Sequence, residues 1–417
     1  MFYPIVYWAK GQFDKAISDY NKAIELNPKY ADAYTNRGFA FNNKGQLDKA
    51  ILDYNKAIEI NPKNAKAYSN RGKAYVNKDQ YDHAISDLNK AIEIDPKLAM
   101  AYNNRGSAYF GLGKYKKAIA DCSKAIHLDP NLVMAYSNRG IAYIGLGQYQ
   151  QAIEECNKAI RLDPNLPMAY NNRGTAWSKE GEYALAFADF NKALELNPHY
   201  ADAYNNRGNI FTKKGEYESA FADFKKALEI NPQHTGTYIN RGNARDEMGQ
   251  YDRAISDYNK ALKIKPEYPK IYFNRGNAYL KKGEHDRSIT DFNKALELNP
   301  QYADAYMNRG IIWATIKGEY DRGIADFNKV LEINPQYANA YYNRGFIWVK
   351  KEEHDLAIAD FNKAIEINPK DVGAYLHRGN AYINLGKKDR ACDDWLKACK
   401  LGNCDGLNWA KKEGVCQ

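Results

Sequence analysis

The 417-residue sequence lacks long apolar runs: no stretch of about eighteen apolar residues occurs, so it predicts no membrane-spanning helix. It has six cysteines, too few for a disulfide scaffold of this length, which makes a reducing compartment the default. Its first ten residues are apolar but have neither a basic lead nor a small-residue cleavage site, so they do not predict a signal peptide. Together these absences predict a cytoplasmic protein.

Sequence signatures of catalysis are missing as well. None of the seven histidines has the spacing of a zinc site or lies beside a serine or cysteine nucleophile motif. The Gly-Leu-Gly sequences at Gly111 and Gly145 are typical of helix ends, and no glycine-rich phosphate loop is present. We therefore expect a protein without enzymatic activity and without a metal or cofactor.

The charge is mild, +9 in total, and the basic residues recur at a fixed period instead of clustering. This distribution favours a solvated helical surface over a stripe that binds nucleic acid. Hydrophobic residues make up 44% and charged residues 27% of the chain, a composition that is typical of a folded protein and argues against disorder.

What is present is one short sequence that returns throughout the chain. A near-copy of Tyr34-Thr35-Asn36-Arg37-Gly38 recurs every 34 residues, once after 35, and last as His377-Arg378-Gly379. The Asn-Arg-Gly sequence begins at Asn36, Asn70, Asn104, Asn138, Asn172, Asn206, Asn240, Asn274, Asn308 and Asn343. Self-similarity at a fixed period predicts an array of stacked repeats, in which each repeat contacts mainly its neighbours.

Each repeat is predicted to be a pair of helices. With Ala31 as position 1, small or apolar residues at positions 3, 4, 8, 10 and 11 form one helical face, which ends at Gly45. The second half has apolar residues at helical spacing and ends before Pro62, because proline cannot donate to a continuing helix. The small residues Gly38 and Ala50 let the two helices approach closely.

The pattern Tyr, Gly, Tyr, Ala, Tyr or Phe, Ala and Pro in a 34-residue repeat resembles the tetratricopeptide repeat, and the match covers nearly the whole chain. This resemblance implies an all-α fold, a right-handed superhelical α-solenoid of about eleven to twelve helix-turn-helix repeats. It also implies that the first helices line a concave groove that binds peptides or partner proteins.

The repeats divide the chain into three predicted regions. Residues 1–30 form a partial N-terminal repeat or cap, and residues 372–417 form a degenerate repeat and a C-terminal capping helix with Trp409 directed inward. Between them lie ten full repeats, 31–64, 65–98, 99–132, 133–166, 167–200, 201–234, 235–268, 269–302, 303–337 and 338–371. The irregular end repeats offer surfaces for self-association.

Two of the ten repeats are irregular. In repeat 235–268, Arg245 stands where the others have an aromatic residue at position 11, which we interpret as a hinge or a kink. In repeat 303–337, one extra residue lies between Ile311 and Lys317, which predicts a bulge or a longer turn.

Position 7, usually apolar in the family, is arginine in all eleven repeats from Arg37 to Arg378. Position 23 carries a carboxylate in every repeat, so we predict a recurring arginine–carboxylate pair, within a repeat or to the preceding one, that fixes the helix register. In the alternative interpretation, the arginines face the groove and hold anions.

The cysteines are first interpreted as core residues. Cys122 and Cys156 occupy the ring position of adjacent repeats, about 9–10 Å apart by helix packing, and are predicted to be buried thiols. The other four lie near the C-terminus, at Cys392, Cys399, Cys404 and Cys416. Cys392 and Cys399 occupy apolar positions of one helix, which is typical of core residues. A disulfide or a metal site in the cap is the alternative, although the spacing fits no strong zinc pattern.

Two sets of residues are candidates for peptide binding. The ten asparagines at position 6 each offer donors and an acceptor, so they could hold a peptide backbone without reading its side chains; alternatively they bond neighbouring helices or water. Apolar residues form two patches, one of Met100, Phe110, Met134, Ile141, Ile144 and Met168 and the other of Phe273, Leu280, Met307, Ile311, Tyr342, Phe346 and Val349. They predict an extended ligand with two apolar anchors, or else they pack on each other.

These features predict a scaffold for protein–protein interaction with a protein or peptide partner and no membrane contact. The carboxylate clamp of the family requires a lysine at position 5. In this chain position 5 never carries a basic residue, so that mode of binding is not expected. The alternative function is single-stranded RNA binding by helical repeats, which the acidic position 23 and the 34-residue period make less favoured. Binding of nucleic acid is therefore not the expected function.

Overall fold

The computed structural model describes residues 13–416, and in this range the chain forms α-helices and one π-helical segment with no strand. The helices are α1 (Phe13–Leu26), α2 (Ala31–Asn43), α3 (Leu47–Ile60), α4 (Ala65–Asn77), α5 (Tyr81–Ile94), α6 (Ala99–Gly111), α7 (Tyr115–Leu128), α8 (Val133–Gly145), α9 (Tyr149–Leu162), α10 (Pro167–Glu180), α11 (Tyr183–Leu196), α12 (Ala201–Lys213), α13 (Tyr217–Ile230), α14 (Thr235–Glu247), α15 (Tyr251–Ile264), α16 (Pro269–Lys282), α17 (His285–Leu298), α18 (Ala303–Ile311), α19 (Tyr320–Ile333), α20 (Ala338–Lys350), α21 (His354–Ile367), α22 (Val372–Asn384), α23 (Lys388–Lys400) and α24 (Asp405–Lys412). None of these helices is long and apolar enough to cross a membrane.

The chain separates into two compact parts at Pro232–Gln233. In the N-terminal part, α1 to α13, and in the C-terminal part, α14 to α24, each even-numbered helix packs against the odd-numbered helix that follows it, and that helix packs against the next even-numbered one. The even-numbered helices up to α22 are the first helices of the repeats. This packing confirms the prediction of a helical-repeat solenoid, whereas the part of the predicted partial repeat before Phe13 lies outside the described residues.

The turn inside each repeat uses a left-handed backbone conformation. Gly45 has a φ of 72°, and the same turn position is Asp79, with a φ of 57°, in one repeat and Glu352, with a φ of 61°, in another. Residues with a side chain adopt this region at a cost, because the Cβ atom crowds the following carbonyl oxygen.

Replacing Glu352 by glycine is therefore expected to raise the free energy of unfolding by up to about 1 kcal/mol, as the strain at this turn is removed. The matched change Gly45→Ala puts a Cβ atom into the same conformation and should lower it by a similar amount. Urea unfolding of the two variants beside the parent protein measures both effects. Equal midpoints for Glu352→Gly and the parent would show that the turn is unstrained.

The two helices of a repeat meet at a glycine. A Cβ atom on Gly208 in α12 would lie 2.7 Å from Cε1 of Phe224 in α13, whose side chain is fully buried. Ala203 and Ala220 are fully buried in the same repeat. Small residues on both helices thus allow the close contact, and the ring at position 24 fills the space beside it.

The predicted arginine–carboxylate pairs are confirmed. Arg207 donates to both carboxylate oxygens of Asp223 in its own repeat, at 2.8 and 2.7 Å, and to Oδ1 of Asn191 in the preceding repeat at 2.7 Å. The carboxylate raises the pKa of the Arg207 guanidinium through this hydrogen bond. The other pairs are Arg37–Asp53, Arg71–Asp87, Arg105–Asp121, Arg139–Glu155, Arg173–Asp189, Arg241–Asp257, Arg275–Asp291, Arg309–Asp326, Arg344–Asp360 and Arg378–Asp394. One guanidinium therefore holds its own repeat and, in most cases, an amide of the repeat before it.

The two irregular repeats differ in outcome. Arg245 places Nη1 2.7 Å from Oδ2 of Asp257, so it shares this carboxylate with Arg241 and is not left as an unpaired charge. Its repeat begins directly after the division of the chain, and the hinge interpretation stays a prediction. The extra residue in repeat 303–337 is accommodated by a π-helical segment, Ile312–Ile316, which confirms the predicted bulge.

The C-terminal cap is built on two disulfides, Cys392–Cys416 and Cys399–Cys404, so the interpretation of Cys392 and Cys399 as core thiols is wrong. Cys122 and Cys156 are buried free thiols, as predicted. The packing of α24 also corrects one expectation, because Trp409 remains 49% exposed and meets the ring of Trp395 edge-on. The fully buried residue of α24 is Ala410, and a Cβ atom on Gly406 would touch Trp395, so this helix packs through its small residues.

Candidate functional site

The first helices of the N-terminal part line a cavity of about 450 Å³, which we call the central groove. Its lining residues are Lys73, Val76, Tyr81, Ser107, Phe110, Gly111, Asn138, Ile141, Met168, Asn171, Asn172, Thr175, Tyr200, Asp202 and Asn206. Nearly all of them come from α4, α6, α8, α10 and α12, whose lining residues fall at positions 2, 5, 6, 9, 12 and 13. The groove thus brings together the residues that five successive repeats place on one side of their first helices.

Several sequence-predicted residues meet in this groove. Asn138, Asn172 and Asn206 of the amide set and Phe110 of the apolar set line it, together with Ile141 and Met168. The ring of Phe110 also packs on that of Tyr115, with centroids 5.6 Å apart. Side chains that can accept or donate hydrogen bonds lie here beside apolar ones.

The amides of the position-6 asparagines reach back to the preceding repeat. Asn138 donates to Oδ1 of Asn103 at 2.8 Å and to Oγ of Ser107, the residue at position 9, at 3.0 Å. Asn172 has Ile141 at position 9 of the preceding repeat, which offers no acceptor, and instead donates into the seam to Oγ of Ser137 at 3.1 Å. In these two repeats, the amide lies at the groove surface where position 9 of the preceding repeat offers an acceptor and inside where it does not. Asn70 and Asn343, which follow Phe39 and Ile311, nevertheless stay partly exposed.

The expectation that all ten amides are open is wrong for Asn104 and Asn172, which are 3% and 2% exposed. Asn104 follows Lys73, which offers no acceptor at position 9, and donates to Ser69, as Asn172 does to Ser137. Asn206, Asn274 and Asn308 bond the preceding repeat and stay partly exposed, and Asn343 donates to its own helix at Asn339. The alternative interpretation, bonds between neighbouring helices, thus holds for most of the set, while partly exposed members remain available to a ligand.

Of the remaining predicted residues, Met100 is exposed and lines a second cavity of about 440 Å³ together with Asn36 and Asn70. Met134 and Ile144 are partly buried, and Ile144 packs against the core of α9 and α10. Asn240 is partly buried as well.

The second apolar patch, in the C-terminal part, packs mainly on its own chain. Met307 is 6% exposed and belongs to the core, so its prediction as an open binding residue is wrong. Phe273 lies 4.8 Å, centroid to centroid, from Tyr302, while Tyr342 and Phe346 lie against His377. For this patch the structure favours the alternative interpretation, mutual packing.

The C-terminal part has a cavity of about 570 Å³ with a different lining. Asn243, Asn274, Asn277 and Asn308 supply amides, with Asp246, Glu247, Lys270 and Lys281 beside them. Asp246 pairs with Lys281 at 2.5 Å. Most of its polar groups are paired with each other, so this cavity offers a ligand less than the central groove does.

Comparison with known families agrees with these repeats. A "TPR repeat" family model matches residues 6–45, 40–79, 74–113, 242–283 and 315–352. Two models described as "Tetratricopeptide repeat" match 99–132, 133–166, 167–200, 201–234, 269–302 and 338–371, and 224–256 and 361–393. The chain belongs to the tetratricopeptide repeat family. No curated protein matches it as a relative.

Solved structures of tetratricopeptide repeat type resemble it over most of their length. The human IFIT1 dimer with PPP-AAAA has a TM-score of 0.58 at 16% identity, covering 94% of both chains. The APC/C hetero-tetramer Cut9–Hcn1 has a TM-score of 0.53 at 14% identity, covering 91% of this chain and 95% of that one. At these identities the likeness shows the fold. Repeats of this family commonly mediate protein interactions.

Two charged residues of the described chain lie in the central groove. Among the described lining residues, Lys73 is the one cation and Asp202 the one carboxylate. Burial lowers the pKa of Lys73. Tyr200, beside Asp202, has its pKa raised by burial and then by that carboxylate. No cluster of three or more histidine, cysteine or acidic side chains suited to a metal ion occurs within residues 13–416.

Sequence reasoning missed Lys73, although a signal for it was present. Position 9 is Phe39, Ser107, Ile141, Thr175, Asn209, Asn243, Asn277, Ile311, Phe346 and Asn380 in the other repeats, so Lys73 is the one charged residue at this position. A charge that breaks a repeat pattern at a groove position indicates a local role.

Proposed function

We propose that this protein is a non-enzymatic interaction scaffold that binds an extended peptide segment of a partner protein in the central groove. The observation that carries the proposal is the lining of that groove, where α8, α10 and α12 supply amides and α4, α6, α8 and α10 supply apolar side chains. An extended segment needs both, because its backbone groups require hydrogen-bond partners and its alternate side chains require apolar contacts.

The amide geometry supports a backbone-binding role. Asn138 and Asn172 donate to the preceding repeat through Nδ2, and neither carbonyl oxygen accepts a hydrogen bond from the described residues. In Asn138, at the groove surface, this oxygen can accept a peptide N–H group. The Nδ2 group of this amide is already held by hydrogen bonds, so the side chain loses little conformational entropy when a ligand binds to its oxygen.

RNA binding is the second candidate, favoured by the bound PPP-AAAA in the IFIT1 structure of the same fold. The central groove supports it less well, because affinity for nucleic acid depends on cations that neutralise phosphates. The position-7 arginines described above are all bound to carboxylates. The described lining of the groove contains one further cation, Lys73, and one carboxylate, Asp202. A groove with one unpaired cation is a poor match for a phosphate backbone.

Selection from a phage-displayed library of random 12-residue peptides against the full-length protein tests the proposal. Selected peptides should bind, and Ile141→Asp, which puts a charge into the apolar lining of α8, should weaken binding more than tenfold, since a bound apolar side chain would have to desolvate that carboxylate. Gln151→Asp, an exposed position on α9, is the matched control and should bind as the parent does.

Two results would contradict the proposal. One is recovery of no specific peptide, and the other is equal binding by Ile141→Asp and the parent protein. Oligonucleotide binding that collapses between about 50 and 200 mM salt would instead favour the RNA function.

A further inference from the structure

Lys73 has an unusual position in the central groove. It lies in α4 at position 9, where every other repeat has an uncharged residue, and its side chain is partly buried among the lining of the cavity. Burial lowers the pKa of its ammonium group, which shows that the surroundings disfavour the charge. The protein therefore holds a cation here at a cost that its fold does not require.

No group within residues 13–416 compensates that charge. Lys73 makes no hydrogen bond, ion pair or ring contact in this range. Other lysines of the first helices that lack a partner in the same range, Lys66, Lys179, Lys213 and Lys270, are exposed to solvent, and several lysines at the ends of these helices are paired. Lys78 meets Asp48 at 2.5 Å, and Lys282 meets Asp252 at 2.6 Å. A lysine that is partly desolvated and lacks a counterion gains most from a ligand that brings one.

The apolar and amide neighbours of Lys73 define what kind of ligand this is. Val76 lies one helical turn further along α4, and Ser107 occupies the same repeat position in the next first helix. Ser107 is already an acceptor for Asn138, so its oxygen lies toward the groove. The surroundings of the ammonium group therefore accept one compact anion beside a peptide backbone, and not a row of phosphates.

We propose that Lys73 determines specificity in the central groove by binding a carboxylate of the peptide. The carboxylate comes from an aspartate or glutamate side chain or from a C-terminus, and it forms a charge-assisted hydrogen bond with the ammonium group. This inference rests on the proposed function, because it names the chemistry of the peptide that the groove accepts. It differs from a clamp built on position 5, which has no basic residue in this chain.

The experiment selects random 12-residue peptides in parallel on the full-length parent, on Lys73→Met and on Lys73→Glu. Methionine keeps the length and apolar stem of the lysine and removes its charge, so it should leave the packing of α4 unchanged. Lys63→Met, an exposed lysine in the loop before α4, removes the same charge outside the groove and is the matched control. Circular dichroism melting of each variant verifies that it is folded.

Peptides selected on the parent and on Lys63→Met should share one position rich in Asp and Glu. That preference should vanish on Lys73→Met and change to Lys and Arg on Lys73→Glu, while the apolar positions stay the same. Synthetic peptides from the parent selection should bind Lys73→Met about tenfold more weakly, the usual effect of losing one charged hydrogen bond. Amidation of the peptide C-terminus separates the two sources, since it abolishes binding only where the terminal carboxylate is the ligand.

The outcomes distinguish the two proposals. If specific peptides are recovered on all variants with no acidic preference, peptide binding stands and the role of Lys73 is overturned. If the acidic preference persists unchanged on Lys73→Met, another cation supplies it and the inference is overturned as well. If no peptide is recovered on any variant, the proposed function itself fails.

Discussion

Replacing Arg207 by leucine is expected to lower the free energy of unfolding by about 3 kcal/mol, the low end of the range for removing one partner of a buried ion pair. The arginine is 21% exposed and its partner Asp223 only 8% exposed, so the change leaves a carboxylate buried without its counterion. It also removes the bond to Asn191, which joins this repeat to the one before it. One substitution should therefore weaken a repeat and its junction together.

Urea unfolding of the full-length protein, combined with hydrogen exchange of the amides in α12 and α13, measures this effect. The matched control is Arg161→Leu, an exposed arginine in the last turn of α9, which should change the stability little. The double change Arg207→Leu/Asp223→Leu removes the stranded charge and should recover part of the loss. Unchanged stability and exchange in Arg207→Leu would favour the alternative interpretation, in which these arginines hold anions.

Removing the Cys392–Cys416 disulfide by Cys392→Ala/Cys416→Ala should destabilise the C-terminal cap by about 3 kcal/mol. The bridge spans 24 residues, and the loss of loop-closure constraint grows with that span. Without it, α24 is attached by few buried residues, chiefly Ala410 and the contact of Gly406 with Trp395. The expected consequence is faster hydrogen exchange in α23 and α24.

The second bridge serves as an internal comparison. Cys399–Cys404 spans 5 residues, so Cys399→Ala/Cys404→Ala should cost about 2 kcal/mol, less than the longer loop. Exchange rates in α23 and α24 that match the parent protein in both double variants would show that packing alone holds the cap. Addition of a reductant to the parent should reproduce the combined loss.

These bridges also bear on where the protein acts. The low cysteine count led to the expectation of a reducing compartment, yet four of the six cysteines pair in the cap. Disulfides persist in oxidising environments, so the pairing differs from what the cysteine count led us to expect, and the compartment stays a prediction.

Much of the fold could be predicted from the sequence because each repeat carries the same residues that begin, end and pack its two helices. Gly45 ends the first helix, Pro62 ends the second, and the insertion near Ile311 predicts the π-helical segment. The arginine–carboxylate pairs were predictable for a related reason: a charge repeated beside a helix seam requires a partner, and position 23 supplies it.

The site was harder to predict because its geometry depends on pairs of repeats. Asn172 donates into the seam beside Ile141, a residue 31 positions earlier and on a different helix that offers it no acceptor. Asn343, which follows Ile311, instead donates to its own helix. Periodicity places a residue on a helix face, but it does not show which acceptor that residue will reach. The prediction that Trp409 points inward failed for the same reason. The small residues of α24 pack closely against the cap, whereas Trp409 meets Trp395 only edge-on and remains exposed.

The proposed peptide-binding groove is formed by the amide-bearing sides of the first helices in the N-terminal part. Photo-cross-linking tests it most directly, with a selected peptide that carries benzoylphenylalanine at one of its apolar positions, followed by mass spectrometry of the labelled residues. Labelling is expected on α4, α6, α8 and α10, at or next to Val76, Phe110, Ile141 and Met168. Labelling confined to the second helices α5, α7, α9 and α11 would contradict it.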